Sequence, residues 1–429
     1  MRNKKLFYGW FVVVGCIILN AMGTGIFSSI MGLFFPSIVA EFGYSQAQVA
    51  GIVSIAIIGG LLATGVFSKL YSKYSAKKLV LIFGVLQGAS YALMSQANSL
   101  TIMYIVAVLM GVAGMGATAL SAPMLITRWF DKNRGIAMGI AVGGAGLGPA
   151  LMAPIVTSVI AKSGYRVGFI VLGAIIAASM IIAFMLIKDT PEEMGLKPFG
   201  QNEGDVAKSK DDAKSTPNEE VYSYNLKEAV KTKMFYGLTL FIVIICTVVQ
   251  GLLVQIPSYL NEVGLDAAKV GTVVGLYALV AGFGKMVIGF VYDKLGVFKA
   301  NFIFFTFMIL SFASLLMVPT NESFVYVYVV LAGMGLGLAP VSIPLLVSIL
   351  FGSKHYAAIY PVFMLMMSVG AVIGGIVAGI IIDSSGYSAL LVSAIVGAVL
   401  ALITIQITVK VADKTKHKME TKEVARKIS

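Results

Sequence analysis

The chain has 429 residues, of which 58% are hydrophobic and only 12% charged, and it carries a formal net charge of +12. A soluble domain of that length needs far more charged surface, so a soluble enzyme is excluded and the positive charge is not read as a nucleic-acid footprint. What remains is a membrane protein, in which helices of about 20 apolar residues cross a hydrocarbon core about 30 Å thick.

The first apolar run is predicted over 8–34. No small-x-small cleavage site follows it, so it reads as a retained helix and not as a signal peptide. Further spans are predicted at 47–68, 79–97, 101–127, 136–160 and 167–187. These runs are continuous, not alternating, which fits helices and not barrel strands. The stretch 188–234, rich in Lys, Asp, Glu, Ser and Asn, cannot bury a core and reads as a mobile linker. Spans resume at 235–256, 270–292, 301–318, 324–350, 356–381 and 387–410, and a basic tail over 411–429 is expected to lie near anionic lipid. The expected fold is all-α, with twelve transmembrane helices in a six-helix bundle over 1–187 and a second over 235–410.

Charge placement orients the chain. Of the 32 Lys and Arg residues, 28 fall in the N-terminus, the even-to-odd loops, the linker and the tail. Lys162, Arg166 and Lys269 fall on the other side, and Lys285 lies inside a span. The positive-inside rule then puts both termini and the linker in the cytoplasm, at the plasma membrane. Cys16 and Cys246 both fall in spans and read as small buried hydrophobes, with no metal or other cofactor expected.

The halves repeat at a nearly constant offset of 221 residues, obtained by subtracting matching positions. Pro36, Glu41, Gly43 and Ala47 recur as Pro257, Glu262, Gly264 and Ala268; Gly114, Gly116 and Pro123 recur as Gly335, Gly337 and Pro344. Six helices is an even number, so the second copy enters the membrane from the same side as the first. The repeats are parallel, with a substrate site expected between them near the midplane.

Over essentially the whole chain the sequence resembles the major facilitator superfamily. The run Gly289 to Gly296, with Asp293 and Lys294, is similar to that superfamily's signature loop between its eighth and ninth helices. The resemblance implies a gating loop there, formed by Gly289, Asp293, Lys294 and Gly296. In the first half Ser68, Ser72 and Ser75 replace the usual Gly, Asp and Gly, which puts that loop's gating role in doubt. Tyr8-Gly9-Trp10, Trp129-Phe130 with Arg134-Gly135, the glycine run 143–148 and the run from Asp189 to Pro198 resemble the oxalate–formate antiporter and monocarboxylate transporter branch. The glycine run lies inside a span and reads as helix packing, not as a phosphate loop.

Lys285 lies eight residues before Asp293, about 12 Å deep at about 1.5 Å rise per residue. Its repeat mate is Thr64. A Lys at that depth costs about 2.5–3.5 kcal/mol on insertion scales, and no Asp or Glu lies near the middle of any span to offset it. The simplest partner is an anionic substrate. The resemblance agrees: this column usually holds an arginine that grips a carboxylate, and lysine supplies a point charge instead. The branch's second cation falls on Met367 here, which favours a monoanion over a dianion. The proton carriers' acid falls on Ala281, and a branch tyrosine falls on Ala119. Beside Lys285, the small residues Ala278, Ala281, Gly282 and Gly289 either open space for a ligand or let a helix pack. Asn20 and Gln250, near span centres, are each a ligand contact or an interhelical hydrogen bond; Tyr360 is a further candidate, with packing as its alternative.

These observations predict a secondary carrier, monomeric, that moves a small organic monocarboxylate by alternating access as exchanger or proton symporter. A lipophile efflux pump of the same fold and a non-transporting nutrient sensor are the rivals.

Overall fold

The computed structural model describes residues 7–119, 121–130, 134–200, 224–352 and 355–428. Its architecture is all-helical. Helix α1 is built from the consecutive helical segments Gly9–Leu19, Asn20–Gly25, Ile26–Ser29, Met31–Phe34 and Phe35–Phe42; α2 to α6 are Gln46–Lys73, Ala76–Met94, Leu100–Trp129, Ile136–Ser163 and Tyr165–Leu186. Helices α7 to α10 are Lys233–Glu262, Ala267–Tyr292, Lys294–Met317 and Phe324–Phe351. The apolar segment Ala358–Ala412 is broken at Gly386, with φ 77°, into α11 and α12 (358–385 and 387–412). Among the described residues ten helices, counting that last segment as one, are long and apolar enough to cross a membrane.

Local chemistry sets the ends of these helices. Ser45 caps α2 in a capping box with Gln48, and its repeat mate Asp266 caps α8 by accepting from the Lys269 N–H. Just before them, Gly43 and Gly264 take φ of 67° and 94°, the left-handed turn that ends the preceding helix. The duplication read in the sequence is thus a duplication of turns as well as of spans.

The first helix departs from expectation. The predicted span stopped at 34, but helix continues over Phe35–Phe42, because Pro36 falls in the first turn of that segment, where its missing N–H costs nothing. Residues Asn20–Gly25 widen into a π-helix, and so do Met115–Ala119 in α4. The expected basic tail continues α12 as helical backbone to Ile428.

The ends of the 188–234 stretch are held in place. Phe199 N–H donates to the Trp129 carbonyl at 2.9 Å, Trp129 Nε1 donates to the Lys188 carbonyl at 2.9 Å, and Asp189 accepts from the Lys77 N–H at 2.8 Å. Phe7, Trp129, Phe130 and Phe199 pack as one aromatic cluster with Tyr8 and Trp10. Two of the four sequence runs quoted above, with the residues Lys188 and Phe199 that flank a third, therefore meet at one end of the first bundle. In the second bundle Tyr224 N–H donates to the carbonyl of Phe351, the repeat mate of Phe130.

Candidate functional site

Odd helices run one way and even helices the other, so the C-terminal parts of odd helices share an end with the N-terminal parts of even ones. The halves are joined at that end. Gly32 of α1 lies against the Val254 carbonyl and Pro257 of α7, and Gly146 of α5 against the Ala278 carbonyl of α8. Between α2 and α11, Ser54 Oγ donates to the Val372 carbonyl at 2.9 Å, and the Asp383 carboxylate accepts from the N–H groups of Gln46 and Ala47. At this end two of the three cations found there are neutralised locally, Arg166 by Glu41 at 2.7 Å and Lys269 by Glu322 at 2.8 Å. Toward the opposite end, Gly65 of α2, Gly139 of α5 and Gly289 of α8 meet nothing within 4 Å. The contacts named between the bundles gather at one end, and these three glycines face open space.

A cavity of about 230 Å³ lies among the helices of the first half and reaches the second at one residue. Its walls come from α1, α2, α3 and α4 of the first half and from Ser368 of α11. The two π-helical segments meet at its wall, where the hydroxyls of Thr24 and Thr118 are 3.3 Å apart. A π-segment carries an extra residue in a turn, shifts the side chains that follow, and is frequent at functional sites. Gln87 of α3 also lines the cavity; it is 1% exposed, and its Oε1 has no hydrogen-bond partner.

The sequence-nominated residues sit elsewhere. Lys285, Asn20, Gln250 and Tyr360 are half-buried, and none is among the described residues lining this cavity. The Lys285 stem runs beside Gly337 of α10, where an added Cβ would come 3.3 Å from Lys285 Cγ. Among the described residues Lys285 makes no hydrogen bond and no ion pair. Its repeat mate Thr64 returns its hydroxyl to the Gly60 carbonyl at 3.2 Å. Asn20 opens the π-segment and donates to the Cys16 carbonyl at 3.0 Å, while Tyr360 stacks on Tyr356 at 5.1 Å. Cys16 and Cys246 are buried free thiols.

The small-residue stripe of α8 is divided in use. Ala278 and Gly282 pack on α5, Ala281 packs near Gly333 and Gly337 of α10, and Gly289 faces open space. In the signature loop, Gly296 takes φ 73° in the first turn of α9, and Lys294 lies over the Phe290 ring at 4.5 Å. The Asp293 side chain lies outside the described residues, as do those of Ser68, Ser72, Ala119 and Arg134. Ser75, the repeat mate of Gly296, instead caps α3 with φ −59°, so the two loops turn differently.

Residues 13–367 match the family model of the Major Facilitator Superfamily. The chain belongs to that superfamily. Membership makes it a multi-pass membrane transporter and not an enzyme. It is 23% identical over 367 residues to an uncharacterized MFS-type transporter, YhjX, of Escherichia coli (strain K12), covering 85% of this chain and 86% of that one. It is 30% identical over 170 residues to monocarboxylate transporter 11 of Homo sapiens, covering 39% of this chain and 36% of the relative. Against monocarboxylate transporter 12 of Mus musculus the identity is 23%, over 67% of this chain and 61% of the relative. A bacterial homologue of the human lysosomal transporter Spinster, solved inward-facing and occupied, superposes with a TM-score of 0.72 at 15% identity, covering 95% of this chain and 98% of that one. That likeness carries the fold.

The cavity residues Thr24, Gln87 and Thr118 were not singled out in the sequence. Gln87 offered one signal, an amide about midway along an apolar span; the threonines offered none, because threonine is common in apolar helices.

Proposed function

We propose that the chain is a twelve-span carrier that moves a small organic monocarboxylate across the plasma membrane by alternating access, with Lys285 as the counter-charge for the anion. The observation that carries this reading is Lys285 itself: an ammonium inside an apolar helix, with no ion pair among the described residues. An unpaired charge in a span costs several kcal/mol unless something else offsets it, and a bound carboxylate does so. The names of the monocarboxylate transporter relatives support the same substrate class.

The twelve-span count treats α1 as one span and α11 and α12 as two. With both termini cytoplasmic, the joined end of the bundles is the outer one. Asn20, Gln250 and Tyr360 stand as further substrate contacts in other conformations of the cycle, and Gly289, Asp293, Lys294 and Gly296 as the inner gating loop. Exchange and proton symport both fit this arrangement. A second reading, efflux of a lipophile, draws support from the cavity's Gly, Met and Phe walls.

Counterflow in proteoliposomes with a panel of carboxylates and lipophilic cations separates these. Accumulation of short monocarboxylates supports the proposal; accumulation of the lipophiles alone favours efflux.

A further inference from the structure

Helix α10 is not continuous. Its helical backbone runs over Phe324–Gly335, stops at Leu336 and Gly337, and resumes over Leu338–Phe351. Pro340 accounts for the break. It lies four residues beyond Leu336, where an unbroken helix would supply an N–H to the Leu336 carbonyl, and proline has none. The Leu336 N–H still donates to the Ala332 carbonyl at 2.7 Å, but no group among the described residues donates to the Leu336 carbonyl itself. Leu336 is buried, and inside a span lipid offers no replacement donor.

The stem of Lys285 crosses α10 at this peptide. Gly284, its neighbour on α8, lies against the Gly333 carbonyl just before the break, and a Cβ on Gly337 would come 3.3 Å from Lys285 Cγ. Gly337 has no side chain to stand between the lysine and the Leu336–Gly337 peptide. An ammonium with three N–H groups and no acceptor is thus carried on a stem that crosses a peptide whose carbonyl has no donor. That carbonyl also ends the Phe324–Gly335 segment, at the negative pole of its dipole. The two features occur together. At the offset of 221, Lys285 has Thr64 as its mate and Pro340 has Ala119, so the first half lacks both the charge and the proline.

In the conformation described the two groups are not bonded. We infer that Lys285 sets its ammonium on the Leu336 carbonyl when the carrier returns empty, and leaves it when the anion arrives. Pro340 is the positioning residue that keeps this acceptor open. This rests on the carboxylate reading only for the anion that displaces the lysine. The charge itself is kept, so the empty return remains the slower passage, though less slow than with a cation that has no acceptor at all.

Pro340→Ala and Pro340→Gly each restore the missing N–H, and the test compares two modes of transport in proteoliposomes. Counterflow, which needs no empty return, should stay near the wild-type rate. Net uptake into empty vesicles should fall about tenfold, the order expected for a lost hydrogen bond to a charged group. Net uptake slowed no more than counterflow overturns the inference; if one variant fails to fold, the other carries the test. A second measurement needs no cargo and so separates this inference from the carboxylate reading. In detergent, Pro340→Ala should raise the melting temperature more in a Lys285→Ala background than in the wild type, because a carbonyl that has lost its lysine gains more from a new donor. Equal shifts in the two backgrounds overturn the inference, whether or not a carboxylate is carried.

Discussion

The carboxylate of Asp383, near the end of α11, receives the backbone N–H groups of Gln46 at 2.9 Å and Ala47 at 3.1 Å, at the first turn of α2. One half of the molecule thus caps a helix of the other. Ser45 already caps α2 from within, through the Gln48 N–H, so the acid takes two orphan donors that the local cap leaves free. The negative charge also sits at the positive end of the α2 dipole. This contact exists only while the joined end is closed.

Asp383→Asn keeps the shape and removes the charge. A cap of this kind contributes about 1 kcal/mol, roughly a fivefold change in the balance of closed and open forms. Spin labels at Ser163 and Thr320, both at that end, should show a larger long-distance population in the variant. An unchanged distance distribution would mean that the cap holds nothing that the glycine contacts do not.

Those glycine contacts make a stronger prediction. A Cβ added at Gly146 would collide with the Ala278 carbonyl, which is backbone and cannot swing away. Gly146→Val should therefore block closure of α5 on α8 and abolish transport while the protein still inserts and purifies as a monodisperse species. Near-normal counterflow in this variant would show that the α5–α8 contact is not needed in the cycle.

The signature loop supplies a paired test. Gly296 has φ 73° and ψ 167°, a region essentially confined to glycine that costs an L-residue about 1–3 kcal/mol, so Gly296→Ala should lower the melting temperature in detergent. Ser75→Gly, at the mate position, removes a cap but replaces it with a residue tolerated there, at a cost of a few tenths of a kcal/mol. Equal losses from both would contradict the different turns described for the two loops.

How much of this was legible in the sequence depends on the range of the interaction. Span positions follow from runs of apolar residues, and Gly43, Gly264, Ser45 and Asp266 mark turns by their own chemistry. The glycine run near Gly146 could be read as packing, although not against which helix. Lys285 stood out because one charge in an apolar run is rare. The π-segments at Asn20–Gly25 and Met115–Ala119 leave no mark in composition, and their contact through Thr24 and Thr118 joins residues 94 apart. The bond from Asp383 to Gln46 joins residues 337 apart, and nothing local announces it.

Coupling follows from the charge count. With a monoanion bound beside Lys285 the passage is neutral, whereas the empty carrier moves an unpaired cation through the membrane. Loaded reorientation should therefore be faster than empty return, and exchange should outrun net uptake. Preloading proteoliposomes with the same carboxylate should stimulate uptake severalfold, with little response to an imposed pH gradient. Uptake into empty vesicles that is driven by inward proton flow and indifferent to preloading would instead indicate symport.

The central claim is that Lys285 neutralises the cargo, and counterflow by Lys285→Ala and Lys285→Arg tests it most directly. Removing an unpaired charge from a span should leave folding and insertion intact or improved, because about 2.5–3.5 kcal/mol of insertion cost disappears. Lys285→Ala should then be well folded yet inactive, and Lys285→Arg, which keeps the charge but spreads it over a planar fork, should retain part of the activity. A Lys285→Ala protein that carries the monocarboxylate at the wild-type rate would contradict the account.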